Sequence, residues 1–164
     1  MSRLERHLFR IEAQLACLND AVSRIAGRAG PVLELGLGKG RTYDHLLERL
    51  PERDVWTFDR ALTCDPSIVP DLRLVVLGEF RETLPTALSR LGRQPVLVHS
   101  DCGSDDPDRD VAIARFLEPV LEQILAPGGI LVSDRLLRLA DTEPLALPQG
   151  IAAGRYFMAQ RRER

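Results

Sequence analysis

The chain has 164 residues, 45% of them hydrophobic, enough for one sizeable core and close to the usual length of a single domain. Its formal net charge is −2, and the basic residues are scattered among acids rather than gathered in a stripe with interleaved aromatics, so nucleic acid is not an expected partner. Cys17, Cys64 and Cys102 lie far apart without CxxC spacing, which argues against a disulfide framework or a zinc site; a charged N-terminus and the lack of any long apolar run predict no signal peptide, no membrane span and a cytoplasmic setting.

The first predicted element runs from Leu4 to Ile25, where Leu4, Leu8, Ile11, Leu15, Leu18, Val22 and Ile25 recur in alternating steps of four and three. This is an amphipathic helix of about six turns, ended by Gly27 and Gly30. Residues 1–29 are read as a helical unit that packs on a sheet or pairs with a second copy, so a homo-oligomer is expected, and residues 30–164 as the remaining α/β domain.

Val32 to Thr42, VLELGLGKGRT, follows. Extended Pro31-Val32-Leu33 leads into Glu34, and Gly36, Gly38 and Gly40 permit positive φ and close backbone approach before Thr42 caps a helix. That pattern predicts a cofactor-binding turn. The helix, TYDHLLERL, reaches Leu50 and stops at Pro51, and Asp54 to Asp59 reads as a second strand ending in an acid. Strand, helix and strand form a βαβ unit, which implies a buried parallel sheet with ligands at the carboxyl ends of its strands.

Ala61 to Asp71, with Pro66 and Pro70, is expected to be a loop covering the site. Leu72 to Leu77 is a continuous apolar strand, followed by Gly78-Glu79-Phe80 and a helix through Thr86 to Leu91. Pro95 to His99 is the fourth strand, closed by Ser100-Asp101, and Asp110 to Leu125 the next helix, with a kink or break predicted at Pro119. The acidic run Ser104 to Asp110 reads as a helix cap. Pro127-Gly128-Gly129 turns the chain into a fifth strand, Ile130 to Ser133, ending in Asp134. Leu145 to Leu147 and Arg155 to Gln160 are expected to close the sheet as an antiparallel hairpin.

The glycine spacing separates two ligands. In the dinucleotide fingerprint GxGxxG the helix N-terminus faces a pyrophosphate; here Arg41 occupies the last glycine position, and Glu34 beside the turn would repel a pyrophosphate. A ligand with a cationic end suits Glu34 better. Asp59 follows at about the interval of an acid that accepts bonds from ribose hydroxyls. Together these describe an adenosine joined to an amino acid.

ELGLGKG, TFDR and PGGILV, in that order, resemble the class I S-adenosylmethionine-dependent methyltransferases over most of the chain from Pro31 onward. LGEFRETLP from Leu77 to Pro85, VHSDCG and LAPGGILVSD are more narrowly similar to the macrocin-type sugar O-methyltransferases. The resemblance implies a doubly wound, mostly parallel α/β sheet of the methyltransferase Rossmann-like type, with helices on both faces and the amphipathic helix in front. It places Glu34 and the Gly36-Leu37-Gly38-Lys39-Gly40 backbone on the methionine moiety, Asp59 on the ribose hydroxyls, and Gly78, Glu79 and Phe80 along the adenine. Thr42, Arg60 and Ser100 flank these positions as further cofactor contacts. Asp101 would face the methionine amino group or the acceptor, and Asp101, Asp134 and His99 are the candidate catalytic groups; His99 also reads as a satisfied histidine inside the strand end.

The sulfonium already activates the methyl group, so the protein must hold sulfur, methyl and nucleophile in line, and a hydroxyl acceptor must also lose its proton to a base or a metal-lowered pKa. The resembling sugar enzymes hold magnesium with an acid after the fourth strand and an acid pair after the fifth. Asp101 and Asp134 match two of these, but Arg135 stands where the third belongs, so the metal ligands stay unassigned. The expectation is a methyltransferase acting on a small molecule, at a hydroxyl. The alternatives are a protein that binds S-adenosylmethionine without transfer and a nicotinamide-dependent oxidoreductase.

Overall fold

The computed structural model describes residues 1–68, 70–103 and 106–163. Strands β1 (Val32–Leu35), β2 (Val55–Asp59), β3 (Val75–Leu77), β4 (Leu97–Ser100), β5 (Ile130–Ser133), β6 (Thr142–Pro144) and β7 (Phe157–Arg161) form one sheet in the order β3-β2-β1-β4-β5-β7-β6. The first five are mutually parallel, and β7 runs antiparallel to β5 and β6. Every residue of β1, β4 and β5 is buried, as befits central strands covered on both faces. Chain order reverses between β1 and β4, and such a switch point opens a crevice at the carboxyl edge.

Helices α1 (Arg3–Arg24) and α2 (Arg41–Arg49) follow the expected positions, with α3 (Phe80–Thr83), α4 (Ala87–Leu91) and α5 (Pro107–Ile124) completing the set among the described residues. On one face Cys17, Leu18, Ala21 and Ile25 pack against Val32, Leu97 and Ile130. On the other, Leu117, Leu121 and Ile124 of α5 pack against Leu33, Leu35, Val98 and Leu131. The sheet is therefore doubly wound, with the β-strand alternation sending neighbouring residues to opposite cores.

The seven apolar positions of α1 do not share one environment. Leu18 and Ile25 are buried, whereas Leu4 and Leu8 are 77% and 52% exposed and Leu15 is also exposed. Ala13, Cys17 and Ala21, spaced by four, make the buried row instead. Small side chains in that row let the helix lie close to the sheet, which turns Leu15 outward and leaves the first turns projecting. Ser2 and Glu5 close the N-terminus with a capping box.

Four local expectations change. The apolar run at Leu72 begins as a 3-10 turn, Leu72–Leu74, capped by Asp71, and only Val75–Leu77 is strand. The helix expected through Leu91 is divided by a second 3-10 turn, Leu84–Thr86, because Pro85 lacks the N–H that would continue the ladder. Helix α5 starts early, with Asp106 capping the N–H groups of Asp108 and Arg109 and Pro107 at the first turn, and it runs on through Pro119. Within the acidic run, Ser104 and Asp105 lie outside the described residues. The closing pair is antiparallel, but β6 is Thr142–Pro144 rather than Leu145–Leu147.

Candidate active site

At the carboxyl edge, β1 ends in a turn that only glycine can make. Gly36 has φ +89°, and a Cβ there would lie 2.9 Å from the Asp101 backbone oxygen, so the missing side chain lets the ends of β1 and β4 stay close. Gly38, at φ +50°, faces open space. The N–H of Gly38 donates to Asp59 Oδ2 at 3.0 Å, and the N–H of Arg60 to Asp59 Oδ1 at 2.6 Å, which ties the end of β2 to the turn. These residues line a cleft of about 300 Å³ together with Glu79, Phe80 and Asp101.

Gly36, Gly38, Asp59, Arg60, Glu79, Phe80 and Asp101 thus share one cavity wall. Other predicted positions serve beside it. Gly40 is the N-cap of α2, with Cys64 and Ile68 of the covering loop 3.0–3.2 Å from where its Cβ would stand. Gly78 makes the turn after β3, its N–H donating to the Asp59 carbonyl at 2.9 Å. Leu37, Ser100 and His99 are buried. Thr42 lies inside α2 and does not cap it; its hydroxyl donates to Glu34 Oε1.

Glu34 is not on the cleft. It is fully buried and its second oxygen accepts from His99 Nδ1 at 2.7 Å. His99 Nε2 meets the Tyr156 hydroxyl at 2.7 Å, so both ring nitrogens are engaged and none is left for an acceptor. The Gln14 amide donates to the Tyr156 hydroxyl at 3.1 Å and to Asp101 Oδ2 at 2.5 Å, while the Arg10 guanidinium holds Asp101 Oδ1. Burial, then the Asp101 charge, pushes the Tyr156 pKa far up, so the phenol keeps its proton. Burial pushes His99 down, and the Glu34 charge and hydrogen bond outweigh it, giving a net rise. The Glu34 carboxylate can only accept, so it is the Nδ1 proton of the ring that faces it.

Asp134 follows β5 and is clasped by its neighbour: Arg135 Nε and Nη2 donate to its two oxygens at 3.1 and 3.0 Å, and Arg135 Nη1 stands 3.3 Å from Asp110. The Asp134 hydrogen bond pushes the Arg135 pKa further up, so this cation is permanent. Magnesium does not fit here. Asp101 is engaged by Arg10 and Gln14 and Asp134 by Arg135, and among the described residues no group of three or more His, Cys, Asp or Glu side chains stands where it could hold a metal.

Sequence reasoning missed the far wall, where Ile113 and Phe116 of α5 line the cleft and Arg81 lies 5.1 Å over the Phe116 ring. Their spacing of three on the helix after β4 was the available signal. Cys102 also borders the cleft, and burial pushes its thiol up to about 11.

A parallel sheet with a reversed closing strand, a bare glycine turn after β1 and a carboxylate ending β2 defines the Rossmann-like methyltransferase class. The chain belongs to the S-adenosyl-L-methionine methyltransferase family, whose model matches residues 1–161. Among solved structures it is similar to an S-adenosyl-L-methionine methyl transferase from Silicibacter pomeroyi DSS-3, with 40% identity, a TM-score of 0.91, and 98% of this chain and 99% of that one covered. More distant likenesses share the fold. MycE methyltransferase from the mycinamycin biosynthetic pathway, solved with Mg and SAH, is 15% identical with a TM-score of 0.63, over 96% of this chain and 49% of that one. TrmN from Thermus thermophilus is 14% identical with a TM-score of 0.60, over 90% and 48%. No significant match was found among curated proteins.

Proposed function

We propose that the protein transfers the methyl group of S-adenosylmethionine to a hydroxyl of a small molecule. The observation that carries the cofactor part is the meeting of Asp59, the bare backbone of Gly36 and Gly38, and Asp101 in one cleft at the strand ends. Bound there, the cofactor supplies an electrophilic methyl group. Asp59 accepts bonds from the ribose hydroxyls, Phe80 and Glu79 lie beside the base, and Asp101 accepts from the amino group, so the chain's work is alignment and exclusion of water.

The hydroxyl acceptor rests on the LGEFRETLP and LAPGGILVSD motifs. Because the acids do not fit magnesium, proton removal falls to Asp134, the strand-end carboxylate that does not take the amino group. Calorimetry with S-adenosylhomocysteine and transfer of a labelled methyl group to a panel of hydroxyl, amine and carboxylate acceptors test both parts. Folded protein that fails to bind at millimolar ligand removes the site assignment; transfer confined to amines or carboxylates removes the hydroxyl.

Self-association through α1 belongs to the same reading. Leu4, Leu8 and Leu15, in heptad-like spacing, are exposed along it, and a concentration-independent monomer in sedimentation would remove that reading.

A further inference from the structure

Behind the cleft, a line of side chains crosses the interior from α2 to α1 and ends on Asp101. Thr42 donates to Glu34, His99 Nδ1–H donates to Glu34 at 2.7 Å, the Tyr156 O–H donates to His99 Nε2 at 2.7 Å, and the two protons of the Gln14 amide go to Tyr156 at 3.1 Å and to Asp101 at 2.5 Å. We propose that Gln14, Tyr156 and His99 are positioning residues that fix the Asp101 carboxylate toward the cofactor, which makes the N-terminal helix part of the active site.

The donor and acceptor inventory sets the direction of the chain. An amide NH₂ has two protons and no acceptor, so Tyr156 must take one of them on its oxygen and send its own proton to His99. The ring then has to carry its proton on Nδ1, where the carboxylate of Glu34 waits. Reversing any one link orphans a neighbour, so the side chains hold a single arrangement. Glu34, His99 and Tyr156 are fully buried and Gln14 nearly so. Four polar groups in the interior are a costly way to stabilise a sheet, since apolar side chains of similar volume do as well or better. The hydrogen bond that joins them to the lining of the cleft is the one from Gln14 to Asp101.

There the chain has a definite effect. A carboxylate offers about four acceptor sites. Arg10 takes one on Oδ1 and Gln14 one on Oδ2, which pins the carboxylate plane from behind and leaves a lone pair on each oxygen for a ligand. A group already immobilised binds an ammonium without losing rotamer freedom. Arg10 and Gln14, four residues apart on α1, both reach Asp101 because they share a helix face.

This inference rests on Asp101 facing the cofactor, and the experiment separates the two claims. Calorimetry with S-adenosylhomocysteine is run on the parent, Tyr156→Phe, Asp101→Ala and the double variant, with thermal melts of each free protein. Tyr156→Phe removes one hydroxyl and keeps the ring. Expected is a loss of affinity of about fivefold to tenfold in Tyr156→Phe, a larger loss in Asp101→Ala, and no additional loss when Tyr156→Phe is added to Asp101→Ala. A residue that acts only on stability would shift the melt and leave the affinity ratio the same in both backgrounds. Should Tyr156→Phe not fold, Gln14→Leu on α1 takes its place in the same cycle. The proposal is overturned by unchanged affinity in Tyr156→Phe or by additive losses. Unchanged affinity in Asp101→Ala overturns it through its premise, and a parent that does not bind removes the proposed function as well.

Discussion

Glu34 is the residue for which the sequence pattern and the folded protein make opposite demands, and Glu34→Leu decides between them. Leucine has nearly the same volume, so the change opens little cavity and its cost comes from polar groups left behind. His99 Nδ1–H loses its acceptor inside a site with no exposure, at about 1–3 kcal/mol, and the Thr42 hydroxyl loses a charged partner, at about another 1 kcal/mol. The sum, about 2–4 kcal/mol, falls near the range for breaking a buried ion pair by removing one member. For a domain of this length each kcal/mol moves the midpoint by about 2–4 °C, so free Glu34→Leu should melt about 4–16 °C below the parent by circular dichroism. Affinity for S-adenosylhomocysteine, measured well below that midpoint, should fall by no more than about tenfold, through the loosened His99. A free protein that melts within about 2 °C of the parent while affinity drops a hundredfold would refute the reasoning and return Glu34 to the methionine end of the cofactor.

Three further outcomes follow from the same geometry. Asp59→Ala should weaken S-adenosylhomocysteine binding by about tenfold to a hundredfold in calorimetry, because it removes from the cleft the carboxylate proposed to accept from the ribose; a change under threefold would contradict that proposal. Burial holds the Cys102 thiol at about 11, and the thiolate is the reactive form, so iodoacetamide labelling of Cys102, followed by peptide mass spectrometry, should rise about tenfold per pH unit from pH 7 to 9.5 with no plateau. A plateau near pH 8.5 would show the thiol to be unperturbed. Because Arg135 and Arg10 engage the two strand-end acids, methyl transfer should be unchanged by EDTA and by added magnesium, measured as labelled product; a tenfold dependence on the metal would overturn that conclusion.

What could be read from the chain was whatever is local. Gly36 and Gly38 announced a turn because a positive φ is a property of one residue, and Asp59 announced itself by standing at the end of a β-rich run. The α1 row failed for a reason that is also instructive: the heptad leucines were visible, but the sheet selects the side that approaches closest, and Ala13, Cys17 and Ala21 win by being small. Pro85 obeyed the same rule as any proline and was overlooked inside an otherwise helical pattern.

The partners of Glu34 lie beyond any such reading. His99 is 65 residues away along the chain and Tyr156 a further 57, and the successive pairing of β1 with β4, β4 with β5 and β5 with β7 brings the three together. A motif can say that an acid stands beside a glycine turn, yet the same acid is a ligand if it points at the cleft and a structural anchor if a histidine from the next strand reaches it first. At Asp134 the deciding neighbour was adjacent in sequence, and Arg135 could be weighed directly against a metal. At Glu34 it was not, and so the acid closest to the glycines by sequence is buried against its partners and off the cleft, while Asp101, 67 positions further on, takes the place at its wall.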